Sequence, residues 1–388
     1  MRILTVLDSY PPDLNGGAYF THRLAKGLQS RGHDVLVICP SRNLSQGYRQ
    51  YEGIPLYTVR SWPVMLYKNF RICWPLFIKK GLVKAIDDFK PDVVHLQGKF
   101  ILGGMTHRVS QQKGLPQIAT NHFMPENFFH YTKLPKSLEY WFNRVTWKNV
   151  IDMLSKVDVV TTPTKTAAEL LACVGLQKKV IPVSCGVDLK QFKPNQNAST
   201  LREQFNIPHK PILLYTGRLD KEKNLPEVLK AFQLAKATVD AHLVLTGRGA
   251  EFTALRSLVK ALRLENDVTF TGYLSDEDYP HIYGLANCFI NASTAELQSI
   301  VSLEALASGL PLIGANAVAL PELIEHGVNG YLFEPGDVKT LAQYIVALLR
   351  DKDRAKKMGS HSYEIARQHD LNKTIEQYET LYKDIAIK

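Results

Sequence analysis

Two glutamates, Glu296 and Glu304, flank the predicted start of a helix near Ser299. The apolar run Cys288–Ile290 before them is typical of a buried strand, so Glu296 falls in the following loop and Glu304 inside the helix. Backbone N–H groups at residues 299–301 then point out of the helix N-terminus, which makes an anion site. A carboxylate beside such a site can accept hydrogen bonds from the hydroxyls of a phosphorylated sugar. The alternative is that Glu296 only caps the helix and Glu304 lies on the surface.

A second candidate element runs from Leu214 to Asn224 and joins a predicted strand to a predicted helix. Gly217 lets the chain turn at the carboxyl end of the strand, where open α/β sheets bind their ligands. Arg218 and Lys223 place two cations beside that edge, and a guanidinium fork with a point charge suits a diphosphate. An ordinary solvated loop with surface charges is the alternative.

Gly16 and Gly17 end the loop between the first predicted strand and the first predicted helix. Glycines there let backbone N–H groups approach a phosphate at the positive end of the helix, although a tight turn alone would also explain them. The sequence has neither the glycine spacing of a dinucleotide-binding fingerprint nor a Walker A motif. Nicotinamide-dependent and P-loop enzymes are therefore excluded.

Short apolar runs alternate with helical segments along the chain, which predicts an α/β fold with parallel sheets. The runs form two sets, separated by a hinge at residues 181–188. We expect a first domain at residues 1–187 and a second at 188–370, with the C-terminal helix, residues 371–388, packing back on the first. The predicted strands are Ile3–Leu7, Val35–Cys39, Val93–Leu96, Ile118–Thr120, Val157–Thr161, Ile212–Tyr215, Leu243–Thr246, Val268–Phe270, Cys288–Ile290 and Leu312–Gly314. The predicted helices include Ala18–Ser30, Pro226–Ala235, Phe252–Leu264 and Thr340–Leu349.

The first half of the chain carries the whole excess of positive charge. The formal net charge is +10; residues 1–185 contain 24 Lys and Arg against 12 Asp and Glu, whereas residues 186–388 contain 23 against 25. This asymmetry indicates an anionic partner for the first domain. Nucleic acid is not expected as that partner, because no helix-turn-helix, zinc-finger or RNP sequence is present.

The five cysteines are scattered without a CxxC pair, so neither a zinc site nor a disulfide framework is expected. No run approaches the roughly 20 apolar residues that a membrane-spanning helix needs. The N-terminal sequence MRILTVLDSYPP has the character of a first strand and lacks the parts of a signal peptide. We therefore expect a cytoplasmic protein, attached peripherally to the inner face of the plasma membrane if its partner is a lipid.

Together the motifs resemble those of family 4 glycosyltransferases with the GT-B fold, in order and spacing over essentially the whole chain. They are the Asn15–Gly17 loop, Arg31-Gly-His33, Pro91–His95, Gly186–Asp188, Gly217-Arg218 with Lys223, and the two glutamates as Glu-x7-Glu. The resemblance implies two facing Rossmann-like domains with a cleft between them. It also implies transfer of a sugar from a nucleotide donor with retention of anomeric configuration. No cofactor and no metal are implied, since the nucleotide sugar is a substrate.

The resemblance assigns a role to each candidate residue. The implied catalytic residues are His122, Arg218, Lys223 and Glu296. His122 would lie near the reacting carbon, and Glu296 would bind the transferred sugar. Arg218 and Lys223 would hold the donor diphosphate, so replacing either with alanine is expected to cut turnover and leave the fold intact.

The donor would be held by a further set of residues, which are Gly16, Gly17, Gly217, Tyr273, Leu274, Ser299, Ile300 and Glu304. Glu304 would bind the ribose, Ser299 and Ile300 the phosphate through their amides, and Tyr273 and Leu274 would flank the base. The chain departs from the family pattern at two positions. Ser299 stands where the family usually has glycine, and Cys185 stands where it commonly has asparagine.

Two basic, aromatic-rich segments of the first domain, Lys68–Lys90 and Tyr131–Lys156, have the composition of helices that bind membrane interfaces. In the second segment, the apolar residues from Leu138 to Val145 follow a helical period. Such a period is equally typical of a helix that faces the core. The segments therefore leave a membrane surface and a buried helix as alternatives.

The sequence around His122 and the run Ala295-Glu-Leu-Gln298 also resemble bacterial glycosyltransferases that act on diacylglycerol. We therefore expect UDP-glucose as the donor and a membrane lipid such as diacylglycerol as the acceptor. A phosphatidylinositol mannosyltransferase that uses GDP-mannose and an enzyme with a soluble acceptor are the alternatives. A nucleotide-sugar 2-epimerase and a catalytically inactive membrane-binding protein are the candidates from other classes. The oligomeric state is left open.

Overall fold

The computed structural model of the chain describes residues 1–12, 15–64, 67–124 and 136–386. It contains two compact units, of which the first comprises Met1–Cys185 with Asn372–Lys388 and the second comprises Gly186–Leu371. The sequence-based division lay after residue 187, with residues 371–388 assigned to the first domain. Residues 372–388 contain three basic and three acidic residues, so the first unit keeps its formal charge of +12.

The first unit is built on an eight-stranded sheet in the order β10-β9-β8-β7-β1-β2-β4-β3. Its pairings are parallel except that β3 runs antiparallel to β4. A separate two-stranded sheet pairs β5 with β6. The strands of this unit are β1 (Arg2–Val6), β2 (Asp34–Pro40), β3 (Gly47–Tyr51), β4 (Ile54–Val59), β5 (Trp62–Val64), β6 (Tyr67–Ile72), β7 (Val93–Leu96), β8 (Gln117–Thr120), β9 (Val159–Thr162) and β10 (Val180–Pro182).

Helices connect these parallel strands, and the C-terminal helix of the chain also belongs to this unit. The α-helices described in the first unit are α1 (Gly16–Ser30), α2 (Pro75–Phe89), α3 (Ile101–Gln112), α4 (Lys136–Lys156) and α5 (Lys165–Cys173), together with the C-terminal helix α12 (Leu371–Ala386). The C-terminal helix belongs to the first unit from Asn372 onward. Its Thr374 hydroxyl donates to the Ser184 carbonyl (3.0 Å), and its Tyr378 and Tyr382 are fully buried.

The second unit contains a six-stranded parallel sheet in the order β13-β12-β11-β14-β15-β16. Neighbouring residues Leu213 and Leu214 belong to two different core clusters, so the central strand is buried on both faces. The strands are β11 (Ile212–Thr216), β12 (His242–Thr246), β13 (Val268–Gly272), β14 (Cys288–Asn291), β15 (Leu312–Ala315) and β16 (Gly330–Phe333). The α-helices are α6 (Ser199–Gln204), α7 (Leu225–Lys236), α8 (Phe252–Ala261), α9 (Ile300–Ala307), α10 (Val338–Arg350) and α11 (Lys352–Gln368), and 3₁₀ turns span Lys221–Lys223, Tyr279–Leu285 and Leu320–Glu322.

Each strand that the apolar runs predict is present, with ends that move by at most two residues. Strands β3 to β6, β10 and β16 were missed. The short edge strand β3 has mostly exposed side chains, and β4 contains Pro55, so neither forms the apolar run typical of a buried parallel strand. The predicted helix Ala18–Ser30 begins two residues earlier, at Gly16, and Phe252–Leu264 ends three residues earlier, at Ala261.

Two expectations about the basic segments need correction. Lys68 and Arg71 lie on strand β6, because the helix of that segment begins only at Pro75. In the other segment, residues 131–135 lie outside the described residues, and helix α4 spans Lys136–Lys156. The core-facing alternative for its first half is wrong, since Leu138 is 50% exposed and Trp141 is 63% exposed.

Candidate active site

In the first unit, the glycine loop lies beside His122. Asn15 caps helix α1 by accepting from the Ala18 N–H (2.8 Å), and its own amide donates to Ser9 Oγ (2.8 Å). A Cβ added to Gly17 would lie 3.9 Å from the His122 Cβ, so the first turn of α1 passes close to the histidine. The N–H groups of Gly16 and Gly17 have no hydrogen-bond acceptor among the described residues. They are thus available to an anion at the end of the helix.

His122 follows strand β8 at the carboxyl edge of the first sheet. Its Nε2 lies 2.8 Å from the Gln97 Oε1, and its ring lies 5.0 Å from the ring of Phe20 on α1. Burial lowers the pKa of His122 to about 4. The imidazole is therefore neutral at pH 7 and offers one N–H donor and one lone pair.

In the second unit, Gly217 follows β11 with a φ of +133°, a conformation that favours glycine. Its N–H donates to the Thr246 carbonyl (3.0 Å), which fixes the turn at the end of the strand. Arg218 then forms ion pairs with Asp220 and with Glu222, the latter at 2.6 Å. Lys223 Nζ lies 2.6 Å from Glu296 Oε1. The structure therefore brings Lys223 and Glu296 into direct contact.

The two cations that the sequence assigned to a diphosphate thus face three carboxylates. Asp220 and Glu222 are buried, with 6% and 4% of their surface exposed. Sequence reasoning missed both, because charged residues in a predicted loop were expected to be solvated. Their positions two and four residues after Arg218 on a tight 3₁₀ turn are the signal that could have revealed them.

Helix α9 begins directly after Ser299, as the sequence predicted. The Ser299 hydroxyl accepts from the Ser302 N–H (3.2 Å) and from the Asn291 amide (2.9 Å). A serine in place of the family's glycine therefore caps the helix. The N–H groups of Ile300 and Val301 have no acceptor within the part of the chain that the structure describes, so they remain available to an anion.

Glu304 lies inside α9 and is 6% exposed. Its Oε2 accepts from the hydroxyls of Tyr279 and Tyr283, each at 2.9 Å. The Thr216 hydroxyl at the end of β11 lies 2.9 Å from the Tyr283 hydroxyl. Two tyrosines therefore fix the orientation of the carboxylate that the sequence assigned to a ribose, and neither was identified from the sequence.

The two residues assigned to the base differ in their surroundings. Tyr273 is 45% exposed, whereas Leu274 is 5% exposed and packs in a hydrophobic core cluster of the second unit. A ligand can stack on the ring of Tyr273. The Leu274 side chain is occupied by the core.

Asp8 and Gln97 are buried residues at the carboxyl edge of the first sheet that sequence reasoning also missed. Asp8 Oδ1 accepts from the Leu102 N–H (2.9 Å), while its Oδ2 has no partner among the described residues. Burial raises the pKa of Asp8 to about 6, against the lowering effect of backbone N–H groups at the start of α3. Asp8 lies two residues after β1 and Gln97 lies directly after β7, and these positions at strand ends are the signal that could have revealed them.

Groups of three or more residues able to hold a metal ion are absent from the described residues. In the same residues, no helix is long and apolar enough to cross a membrane.

Comparison with known proteins identifies the family. Residues 14–191 match the Glycosyltransferase Family 4 model, and residues 197–365 match the model of Glycosyl transferases group 1. The alpha-monoglucosyldiacylglycerol synthase of Streptococcus pneumoniae is 29% identical over 95% of this chain and 83% of its own. A GDP-mannose-dependent alpha-mannosyltransferase of Corynebacterium glutamicum is 28% identical over 94% of this chain and 84% of its own.

Solved structures share the fold. Sucrose-phosphate synthase from Thermosynechococcus elongatus has a TM-score of 0.80 at 20% identity and covers 98% of each chain. The Anabaena protein HepE in complex with UDP and glucose has a TM-score of 0.79 at 21% identity, over 98% of this chain and 99% of its own.

Two Rossmann-like units with these loops at their strand ends define a GT-B enzyme. The chain belongs to the retaining GT4-type glycosyltransferases, with a Family 4 domain followed by a group 1 domain, and it is a hexosyltransferase.

Asp8→Asn tests the effect of burial on the Asp8 carboxylate of the first unit. Because the pKa of Asp8 is raised from 3.8 to about 6 in the folded state, ionisation destabilises the fold progressively as pH rises through that window. The asparagine variant keeps the acceptor for Leu102 but does not ionise. The difference in free energy of unfolding between the variant and the wild type, measured by urea unfolding, should shift in favour of the variant by up to about 3 kcal/mol between pH 4 and 7. A difference that does not change with pH would contradict the burial argument.

Tyr279→Phe and Tyr283→Phe test the support of Glu304. Each removes one hydrogen bond to a buried carboxylate, an interaction of about 1.5–3 kcal/mol. Where Glu304 holds the ribose, as the resemblance implies, the affinity for UDP in a calorimetric titration should fall by about ten-fold or more in the double variant. The two effects should not add, because both hydroxyls donate to the same oxygen.

Tyr344→Phe is the matched control, since Tyr344 stacks on Tyr331 in the same unit, with ring centroids 4.5 Å apart. Unchanged UDP affinity in the double variant would remove the tyrosines from the donor site.

Proposed function

We propose that this enzyme transfers a hexose, with UDP-glucose as the favoured donor, to a membrane lipid such as diacylglycerol. Relatives from Streptococcus pneumoniae and Acholeplasma laidlawii are named alpha-monoglucosyldiacylglycerol synthases, and HepE binds UDP and glucose. The mannosyltransferase relatives keep GDP-mannose as a second candidate donor. In this proposal the protein works at the cytoplasmic face of the plasma membrane.

The observation that carries the lipid acceptor is a set of exposed apolar side chains at the starts of two helices in the first unit. They are Trp74, Leu76 and Phe77 at α2, and Leu138, Tyr140, Trp141, Phe142 and Val145 on α4. Leu76 is 92% exposed and Trp141 is 63% exposed. In water these side chains lose the favourable free energy of burial, which a lipid interface would restore.

Basic side chains accompany both apolar groups. Lys79 and Lys80 are exposed on α2, and Arg144 and Lys148 are exposed on α4. None of the four forms an ion pair within the described residues. Each basic group near an anionic leaflet contributes about 1 kcal/mol, so the charge of the first unit favours a surface of anionic phospholipid.

The second unit supplies the groups that a nucleotide diphosphate needs. Cleavage of the bond between sugar and phosphate builds negative charge on the leaving diphosphate and positive charge on the sugar carbon. Arg218, Lys223 and the amides of Ile300 and Val301 would stabilise the first of these charges. The contact of 2.6 Å between Lys223 and Glu296 would tie the phosphate-binding lysine to the sugar-binding glutamate.

A donor panel with lipid extract as acceptor tests the proposed reaction. The purified enzyme should form a glycolipid from UDP-glucose faster than from GDP-mannose or other nucleotide sugars. Lys223→Gln should lower kcat by about a hundred-fold, because one fixed charge on the leaving group is lost. Lys221→Gln is the matched control, since Lys221 is exposed two residues away. Absence of transfer from every donor in the panel would overturn the proposal.

Arg218→Ala suits this test less well than the sequence suggested. The substitution would deprive two buried carboxylates, Asp220 and Glu222, of their cation. Removing one partner of a buried ion pair costs about 3–5 kcal/mol, so the fold itself is affected. Lys223 contacts a single carboxylate, that of Glu296, so for Lys223 the expectation of an intact fold stays a prediction.

Vesicle sedimentation tests the membrane surface. The protein should bind vesicles of anionic phospholipid at moderate salt. Lys79→Ala with Lys80→Ala should weaken binding by about thirty-fold, as two groups of about 1 kcal/mol each are removed. Trp141→Ser should also weaken it, through lost apolar insertion. Leu234→Ser is the control, because Leu234 is an exposed leucine (48%) of the second unit. No binding of the wild type would count against a lipid acceptor.

A further inference from the structure

A chain of buried polar side chains leads away from His122 into the first unit. The His122 Nε2 lies 2.8 Å from Gln97 Oε1, and only the nitrogen can donate in this contact. Gln97 is 1% exposed and follows β7, where its N–H donates to the Val6 carbonyl (2.9 Å). The backbone of Gln97 is therefore fixed between two central strands.

Behind Gln97 stands His95, a fully buried residue of β7. The Gln97 amide nitrogen lies 3.3 and 3.2 Å from the two ring nitrogens of His95. His95 Nδ1 lies 2.7 Å from the Tyr382 hydroxyl of the C-terminal helix, and its Nε2 lies 2.6 Å from Thr120 Oγ1. The amide nitrogen of Gln97 faces His95, and so its oxygen faces His122.

This orientation decides which nitrogen of His122 carries the proton. Among the described residues, Gln97, which follows β7, and Gly17 and Phe20 of α1 lie against His122, and the titratable group behind Gln97 is His95. Burial lowers the pKa of both histidines, so each ring holds a single proton at pH 7. With Gln97 Oε1 as acceptor, that proton lies on Nε2 of His122 and leaves the Nδ1 lone pair for a hydroxyl donor.

We propose that Gln97 is a positioning residue that fixes His122 as the Nε2–H tautomer, and that the C-terminal helix holds Gln97 in place through Tyr382 and His95. This inference rests on the proposed function only in placing His122 at the reacting sugar. The contact between Tyr382 and His95 then connects the last helix of the chain to the orientation of a catalytic side chain.

Nitrogen-15 NMR of histidine-labelled protein tests the tautomer without any substrate. The two ring nitrogens of a neutral imidazole have distinct shifts, and His122→Asn identifies the resonances of His122 among the 12 histidines. The wild type should show the Nε2–H form. A proton on Nδ1 would overturn the inference, whatever the enzyme's activity.

Gln97→Leu, which keeps the approximate size of the side chain, should mix the two tautomers and lower kcat on the order of ten-fold, with little change in the donor KM. Gln117→Leu is the matched control. Gln117 Oε1 accepts from the buried His107 Nδ1 (2.9 Å) at the start of β8, so the same kind of pair is broken away from His122. This control should leave both the His122 resonances and kcat unchanged. A normal kcat in folded Gln97→Leu would also overturn the inference.

Gln97→Glu keeps an oxygen acceptor for Nε2–H and decides the matter if Gln97→Leu fails to fold. The carboxylate should preserve the tautomer and favour the imidazolium. The variant should therefore be more active than Gln97→Leu at pH 8. It should lose activity towards pH 6, where the wild type remains active. An unchanged pH profile would show that Gln97 does not control His122. If the wild type shows the Nε2–H tautomer but transfers no sugar, only the proposed function is contradicted.

Discussion

The central strands of both sheets are buried on their two faces, so a polar side chain there needs a partner inside the protein. In the first unit, His95 finds that partner in Tyr382 of the C-terminal helix. In the second unit, the Thr216 hydroxyl meets that of Tyr283. His95 in turn lies next to Gln97, the residue that contacts His122, and Tyr283 donates to Glu304. The pairing that satisfies these buried polar groups therefore also orients two side chains of the candidate site, His122 and Glu304.

In the second unit, buried charges also depend on a partner inside the protein. Asp220 and Glu222 are almost fully buried, and Arg218 compensates both. Such pairs are a weak source of stability, but removing one partner is costly. A diphosphate would therefore enter a loop whose cations already face carboxylates, in a unit whose sequence carries slightly more acidic than basic residues. Besides Arg218, the amides of helix α9 and Lys223 would attract it, and the flexible stem of Lys223 lets its ammonium reach a new acceptor.

The local features of the candidate site could be predicted from the sequence. Apolar runs predicted the strands before each loop, and Ser299 was placed at the start of α9. The supporting tyrosines could not be predicted, because they are separated in sequence from the residues they contact. Tyr382 lies 287 positions from His95, and Tyr283 lies 21 from Glu304. Contacts between residues so far apart produce no recognisable pattern in the sequence, whereas the periods of strands and helices arise from neighbouring residues.

The charge asymmetry acquires a physical meaning under the proposed function. The donor is soluble in water and the acceptor is held in a bilayer, so the enzyme must approach the membrane and still exchange nucleotide with the solvent. Reversible attachment meets this need, and it takes two weak signals together, here apolar side chains such as Leu76 and basic ones such as Lys79. An anionic leaflet would then attract the first unit, whose formal charge is +12, and only weakly repel the second, whose formal charge is −2.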